Sequence, residues 1–266
     1  MNGVALFAIS YDSVDILRDF AATHAITYPL LSDEGSDTMR GLGLVNDRVA
    51  EDHAVYGIQS NARHVNLPYP GVFVLNRHGV VTQKRFFESY RERDTGTGLI
   101  AQALGIVAEP SASGIATNGP AVTARAWLDS LTYAFFQRLV LTVEVSIATG
   151  FYVYGHPAAD GVTALSVEID EIDGLQVGAA HWPAPRRFIS PGLNEGLWVH
   201  EGVVRGTVPL TFAGAPGGGD HVIGVTVRFQ ACDDASCLVP SSVQLRVPVQ
   251  ETSLVGRSLP SPPSRT

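Results

Sequence analysis

The chain has 266 residues, 45% of them hydrophobic and 17% charged, a balance that supports packed cores and excludes general disorder. Its length suits two domains, or one large β domain. The formal net charge of −8 argues against nucleic acid as a partner, because phosphate binding needs clustered Lys and Arg.

No apolar run reaches the roughly 18–20 residues that span a bilayer. Residues 1–10 lack the basic n-region of a signal peptide, and their apolar run leads straight into a helical pattern. The sequence holds two cysteines, Cys232 and Cys237, too few for a disulfide framework. They are also too few for a zinc site without histidines at ligand spacing. His221 has no partner at such a spacing, and the other histidines form no HxH or HxxxH pair. No metal or other cofactor is expected.

Residues 3–10 form a nearly continuous apolar run, the pattern of a strand buried on both faces of a parallel sheet. Val14, Leu17, Phe20, Ala21 and Ala25 then repeat with a helical period. Ser13 is the expected N-cap, with Asp12 and Asp15 suited to the positive end of the helix dipole. Residues 28–31 predict a short strand, and 37–44 a helix after the turn at 33–36. Residues 46–66 read as a long irregular loop. Residues 70–75 open another buried strand, Asn76-Arg77-His78-Gly79 makes a hairpin turn, and 80–87 return as the antiparallel partner. A last helix is expected over 99–104. The order β-α-β-α-β-β-α belongs to an α/β sheet.

Residues 108–123 are small, polar and rich in breakers, which places a linker there between domains over 1–107 and 124–250. Beyond it, short alternating segments recur at 139–147, 162–169, 175–182, 203–212, 222–229 and 243–249. Gly and Pro separate them and no convincing helix follows the 127–136 region, so the second domain reads as an antiparallel β-sandwich. Residues 251–266 read as a disordered tail.

Cys232 and Cys237 lie in a short loop between two of these strands. That placement brings them near disulfide geometry, with Cα atoms roughly 4.4–6.8 Å apart. Asp233 and Asp234 should disfavour a thiolate at Cys232 by like-charge repulsion. Such a pair suits a relay attacked as a disulfide by a partner's low-pKa thiolate. Two other states stay open. One is a structural staple, worth about 2 kcal/mol for so short a loop; the other is a pair of inert reduced thiols.

The stretch Val4-Ala5-Leu6-Phe7-Ala8-Ile9-Ser10-Tyr11-Asp12-Ser13, followed by residues 26–33, resembles the redoxin branch of the thioredoxin superfamily (AhpC/TSA, peroxiredoxin-like). Residues 67–81 extend the likeness, with the proline that opens the third strand and the hairpin at Gly79-Val80-Val81. The resemblance covers about residues 3–105 and implies a thioredoxin-like fold. In that family a strand and helix upstream carry Cys-x-x-Cys or a lone peroxidatic Cys. No cysteine precedes Cys232 here, so this half is not expected to act alone as a thiol peroxidase or dithiol reductase. The expectation is that a longer parent chain supplies the nucleophile segment, because a sheet lacking a central strand exposes edges that proteins avoid. The other reading is a decayed scaffold. Pro70 would face the absent thiols as a cis proline in the first case, and would open an edge strand in trans in the other.

The runs Phe151-Tyr152-Val153-Tyr154-Gly155-His156-Pro157, His181-Trp182-Pro183 and Gln230-Ala231-Cys232-Asp233-Asp234-Ala235-Ser236-Cys237-Leu238-Val239-Pro240 resemble the N-terminal domain of the thiol:disulfide interchange protein DsbD. That likeness covers about residues 137–250 and implies an immunoglobulin-like sandwich whose cysteine pair relays reducing equivalents. It maps the family's pair onto Cys232 and Cys237 and its Tyr-x-Tyr stretch onto Tyr152 and Tyr154. It also implies a periplasmic or extracytoplasmic setting, and as partner a thiol–disulfide exchange protein or the redoxin cysteine segment of a longer chain. The family's acidic-aromatic cap loop has no confident counterpart. Residues 186–190 fall in roughly its place but are basic.

Three features receive plainer readings. The acidic run 168–173 is a solvated strand end rather than a docking patch. Tyr152, Tyr154 and Trp182 are either a partner surface beside the cysteines or sandwich-core aromatics. Residues 214–220 lack the Lys-Ser/Thr and helix of a phosphate loop and read as a hairpin loop. The sequence thus points to a two-domain thiol-redox protein with Cys232 and Cys237 as its reactive pair. The alternative is a non-enzymatic interaction module with a structural disulfide on a degenerate thioredoxin-like scaffold.

Overall fold

A computed structural model describes residues 4–55, 59, 67–87, 93–104, 114–118, 121–134, 136–189, 196–213 and 219–252. The chain divides into two compact units, one within residues 1–93 and one within 94–255.

In the first unit β1 (Ala8–Ser10) pairs in parallel with β2 (Leu30–Ser32), and α1 (Val14–Thr23) connects them. Ser13 caps α1 as its sequence position implied, its hydroxyl accepting the Ile16 N–H. The helix α2 (Asp37–Gly41) starts where the Asp33 carboxylate accepts the N–H groups of Thr38 and Met39, both at 3.0 Å. A third helix, α3 (Val49–Val55), occupies part of the stretch read as irregular loop; residues 56–58 and 60–66 of that stretch lie outside the described residues.

The hairpin of β3 (Gly71–Leu75) and β4 (Val81–Phe86) forms a separate two-stranded sheet. Its turn follows from two residues. The Asn76 side-chain oxygen accepts the N–H groups of His78 and Val80, and Gly79 takes a φ of 76° that costs glycine nothing. Pro70 opens the hairpin with a trans peptide bond, the cis bond among the described residues being His156–Pro157. Its carbonyl accepts the Phe87 N–H at 3.1 Å.

The apolar run at 3–10 does not become the doubly buried strand its pattern predicts. Regular pairing covers Ala8–Ser10 only, and Leu6, Phe7 and Ile9 are exposed. The reason is topological: β1 has one strand neighbour, β2, so nothing described covers its other edge. Among the described residues of this unit, Leu17, Met39 and Pro70 are the buried apolar side chains.

The second unit starts at Asp94 in β5 (Arg93–Asp94) and continues with α4 (Gly96–Leu104), β6 (Gly114–Asn118), β7 (Val122–Leu128), β8 (Thr132–Tyr133) and β9 (Gln137–Ile147). Next come β10 (Tyr152–Tyr154), β11 (Ser166–Ile169), β12 (Leu175–Val177), β13 (Arg186–Ile189) and β14 (Gly196–His200). The last are β15 (Val203–Phe212), β16 (His221–Phe229), β17 (Ala231–Cys232) and β18 (Ser241–Glu251). One sheet runs β12-β15-β9-β7-β6 and a second runs β11-β16-β18-β8. Between them, every second residue turns inward: Leu139, Leu141, Val143 and Val145 from β9 meet Ile223, Val225 and Val227 from β16 and Val243, Leu245 and Val247 from β18. This strict alternation is what a sheet with one buried face requires.

Two sequence boundaries differ from the structure. Gly114–Asn118, placed in the linker, pairs along β7 from Gly114↔Ala126 to Asn118↔Val122; a strand paired through its backbone does not need the apolar run that marks a core strand. The helix expected at the end of the first domain falls in the second unit. There the Thr95 hydroxyl accepts the Gly98 N–H at 2.9 Å and donates to the Asp129 carboxylate at the end of β7. Residues 105–113, 214–218 and 253–266 lie outside the described residues, which takes in most of the expected tail and of the glycine-rich loop.

Candidate functional site

A third sheet, in the order β13-β14-β10-β17, carries the cysteines. On β10 the two-residue period sends Val153 into the main core and turns Tyr152 and Tyr154 to the other face. There they form a small cluster with Leu197, Val199 and Cys232, against which Val162 and Phe188 pack. Tyr152 stands directly opposite Cys232 in the register of β10 and β17.

Cys232 and Cys237 are joined in a disulfide with Cα atoms 4.0 Å apart. Backbone bonds explain the close approach. Asp233 N–H to Ser236 carbonyl (2.9 Å) and Leu238 N–H to Ala231 carbonyl (2.8 Å) bracket the pair. The cysteines therefore occupy the non-hydrogen-bonded position of an antiparallel bridge, where facing residues come closest. The Asp233 carboxylate closes the turn by accepting the N–H groups of Ala235 and Ser236 at 2.8 and 2.7 Å. These two bonds hold its pKa below the ordinary aspartate value. Asp233 thus shapes the hairpin as well as charging it, a role its sequence position did not disclose. Asp234 is exposed at the tip.

The two cysteine residues differ in exposure. Cys232 is 0% exposed, whereas Cys237 is exposed, followed by Leu238 at 42% and Val239 at 80%. The Tyr154 hydroxyl lies 3.3 Å from each sulfur. With both sulfurs in the disulfide the phenol holds the one proton, so it donates. Tyr152 meets Tyr154 edge-on at 5.9 Å and Phe188 at 4.9 Å. Burial raises the Tyr152 pKa, followed by the neighbouring Tyr154 and the charges of Asp234 and Asp233.

Phe188 comes from the basic stretch noted above. Arg186 sits over the Phe188 ring at 5.3 Å and forms an ion pair with Glu201, its Nε 2.6 Å from the carboxylate. The chain position of residues 186–190 does not disclose that Phe188 packs on Tyr152, a contact that depends on the pairing of β13 with β14. Trp182 packs instead on the main core, its ring lying over Gly206, where an added Cβ would meet it at 2.5 Å. Pro70 belongs to the first unit. Glu168 in the acidic run pairs with Arg228 at 2.9 Å on an exposed strand, in keeping with a solvated strand end.

The fold and the site define a class: a thioredoxin-like redoxin region followed by an immunoglobulin-like sandwich that carries a disulfide. Residues 1–84 match the AhpC/TSA family, and residues 132–248 match the family described as thiol:disulfide interchange protein DsbD, N-terminal. No curated protein matches the chain as a relative. Among solved structures, the N-terminal periplasmic domain of ScsB from Proteus mirabilis is similar at 17% identity and a TM-score of 0.38, over 50% of this chain and 49% of that one. The chain thus spans about half the length of that relative. The reduced N-terminal domain of DsbD from Neisseria meningitidis is similar at 17% identity and a TM-score of 0.30, over 41% of this chain and 77% of that one. The two family matches and the Cys232–Cys237 disulfide support a thiol–disulfide redox function in general terms. Among the described residues no helix is long and apolar enough to cross a membrane.

Proposed function

We propose that Cys232 and Cys237 form a redox-active pair that exchanges electrons with the thiols of a partner protein, and that Cys237 is the sulfur the partner attacks. The observation that carries this reading is the asymmetry of the pair: Cys237 is an exposed residue, Cys232 is fully buried, and a phenol hydroxyl lies 3.3 Å from both sulfurs. A partner thiolate attacks Cys237 Sγ, because thiol–disulfide exchange needs access to the sulfur attacked. The Cys232–Cys237 bond breaks, a mixed disulfide forms at Cys237, and Cys232 leaves as a thiolate. The Tyr154 hydroxyl donates a hydrogen bond to that departing sulfur, in a site where burial would otherwise disfavour the charge.

A second partner thiolate then attacks the partner's sulfur of the mixed disulfide. The partner leaves oxidised as a disulfide and the pair remains as a dithiol, two electrons having passed between them. The steps run in reverse when the other couple has the higher potential. The carboxylates of Asp233 and Asp234 beside the pair disfavour a thiolate by like-charge repulsion, which suits exchange with a docked partner rather than with any passing disulfide.

The reduction potential of the pair tests the reading, measured by equilibrating the protein in glutathione and dithiothreitol buffers and counting free thiols. A value between roughly −270 and −180 mV is expected of a pair poised to exchange with redox partners. A value below about −300 mV would mark a structural staple and favour a non-enzymatic interaction module.

A further inference from the structure

The first unit matches a thiol family, yet no cysteine precedes Cys232. It does hold a cavity of about 680 Å³, within the size range of small-molecule sites. Tyr69, Phe73, Phe86 and Phe87 supply aromatic walls, and Phe73 and Phe86 meet edge-on at 5.0 Å. The pleat explains the arrangement. Phe73 pairs with Lys84 and Gly71 with Phe86, so Phe73, Lys84 and Phe86 stand on one face of the hairpin. The Phe86 ring lies over Gly71, in space that any side chain there would take.

Leu42 and Leu44 form the facing wall. Their segment is held to the hairpin's approach by the Tyr69 N–H to Leu44 carbonyl bond (2.7 Å) and the Asn46 N–H to Leu67 carbonyl bond (2.8 Å). Three charged groups line the cavity: Arg48, Asp52 and Lys84. The Asp52 carboxylate accepts from the Asn46 side-chain amide at 2.8 Å, and Arg48 Nε donates to Glu51 at 3.1 Å. Both of these charges are thereby engaged within the protein. Lys84 makes no ion pair or hydrogen bond among the described residues. The charged lining carries two cations and one anion, with Lys84 the cation that has no ion pair among the described residues, so an apolar, aromatic-walled space of this kind matches a ligand with an apolar body and one negative head.

We propose that this cavity binds amphipathic organic anions, of which medium-chain and aryl carboxylates are the simplest members, with the carboxylate on Lys84 and the apolar body between the phenylalanine and leucine walls. This activity is separate from the redox reading and stands or falls without it.

The test uses the full chain and decanoate below its micellar concentration, followed by calorimetry and by backbone amide NMR shifts. The expected result is saturable one-site binding, with shifts concentrated at residues 42–44, 69–73 and 84–87. Decanol should bind more weakly, and Lys84→Gln should weaken decanoate by roughly five- to tenfold while leaving decanol unchanged. Leu42→Glu, at an exposed wall position that tolerates a polar residue, should weaken decanoate through repulsion. Non-saturable uptake, shifts scattered over the unit, or equal affinity of Lys84→Gln and the parent for decanoate would each overturn the proposal.

Discussion

At the scale of single residues, the behaviour of the disulfide rests on which sulfur water and partners can reach. In Cys232→Ser the remaining Cys237 is exposed on the hairpin; in Cys237→Ser the remaining Cys232 lies in the cluster with Tyr152 and Tyr154. Alkylation by iodoacetamide should therefore run at least about tenfold faster in Cys232→Ser, since reactivity follows exposure as well as thiolate content. Equal rates would remove the basis for assigning attack to Cys237. Tyr154 acts at the same scale. Tyr154→Phe keeps the ring and removes the hydroxyl that lies 3.3 Å from both sulfurs. Loss of one such bond, worth about 1 kcal/mol, should slow reduction of the disulfide by dithiothreitol roughly fivefold with little change in thermal stability. An unchanged rate would leave Tyr154 as packing alone.

At the scale of elements, the sandwich contains a carboxylate whose charge the sheet itself stabilises. Glu144 on β9 is buried and stands opposite Arg125 on β7 and Arg205 on β15, with guanidinium nitrogens at 2.7 and 2.6 Å. Burial alone would raise its pKa, but the hydrogen bonds and charges of Arg125 and Arg205 outweigh burial and hold it below the ordinary glutamate value. A carboxyl lowered on folding contributes stability above its unfolded pKa, near about 4.3, and loses it as pH falls through the folded value. Chemical denaturation of the parent should show this loss below about pH 4. Glu144→Gln should be less stable at pH 7 by about 1–3 kcal/mol and should lose less on acidification through the same window. A parallel pH profile for the two proteins would show that the three-strand clamp contributes nothing to acid sensitivity.

At the scale of the whole molecule, burial is shared very unequally between the two units. The sandwich buries continuous rows of Leu, Val and Ile from β9, β15, β16 and β18, whereas the first unit leaves Phe7, Ile9, Ile16 and Phe20 exposed. Regions with few buried apolar contacts open at low free energy, and core strands only near the global value. Amide hydrogen exchange should accordingly be slowest in β9, β16 and β18 and fast throughout residues 4–23. Protection of β1 and α1 equal to that of β9 would mean that the exposed apolar residues are covered in solution. An assembly that covers them should also shift the first unit's exchange with protein concentration.

How much was legible beforehand differs from element to element. The alternation of β9, β15, β16 and β18, the Asn76–Gly79 hairpin and the Ser13 cap could be read from the chain, because a two-residue period, a turn residue and an N-cap are each local signals. The proximity of the cysteines followed from their short spacing between two strands. The strand at Gly114–Asn118 was hidden in a composition rich in small and polar residues, because its order comes from backbone pairing with β7. Tertiary structure alone decided which sulfur is buried, that Tyr154 reaches both, that Phe188 seals Tyr152, and that Glu144 sits between two arginines. Each of these depends on strands distant in sequence meeting in one register, and no local window of the chain contains both partners.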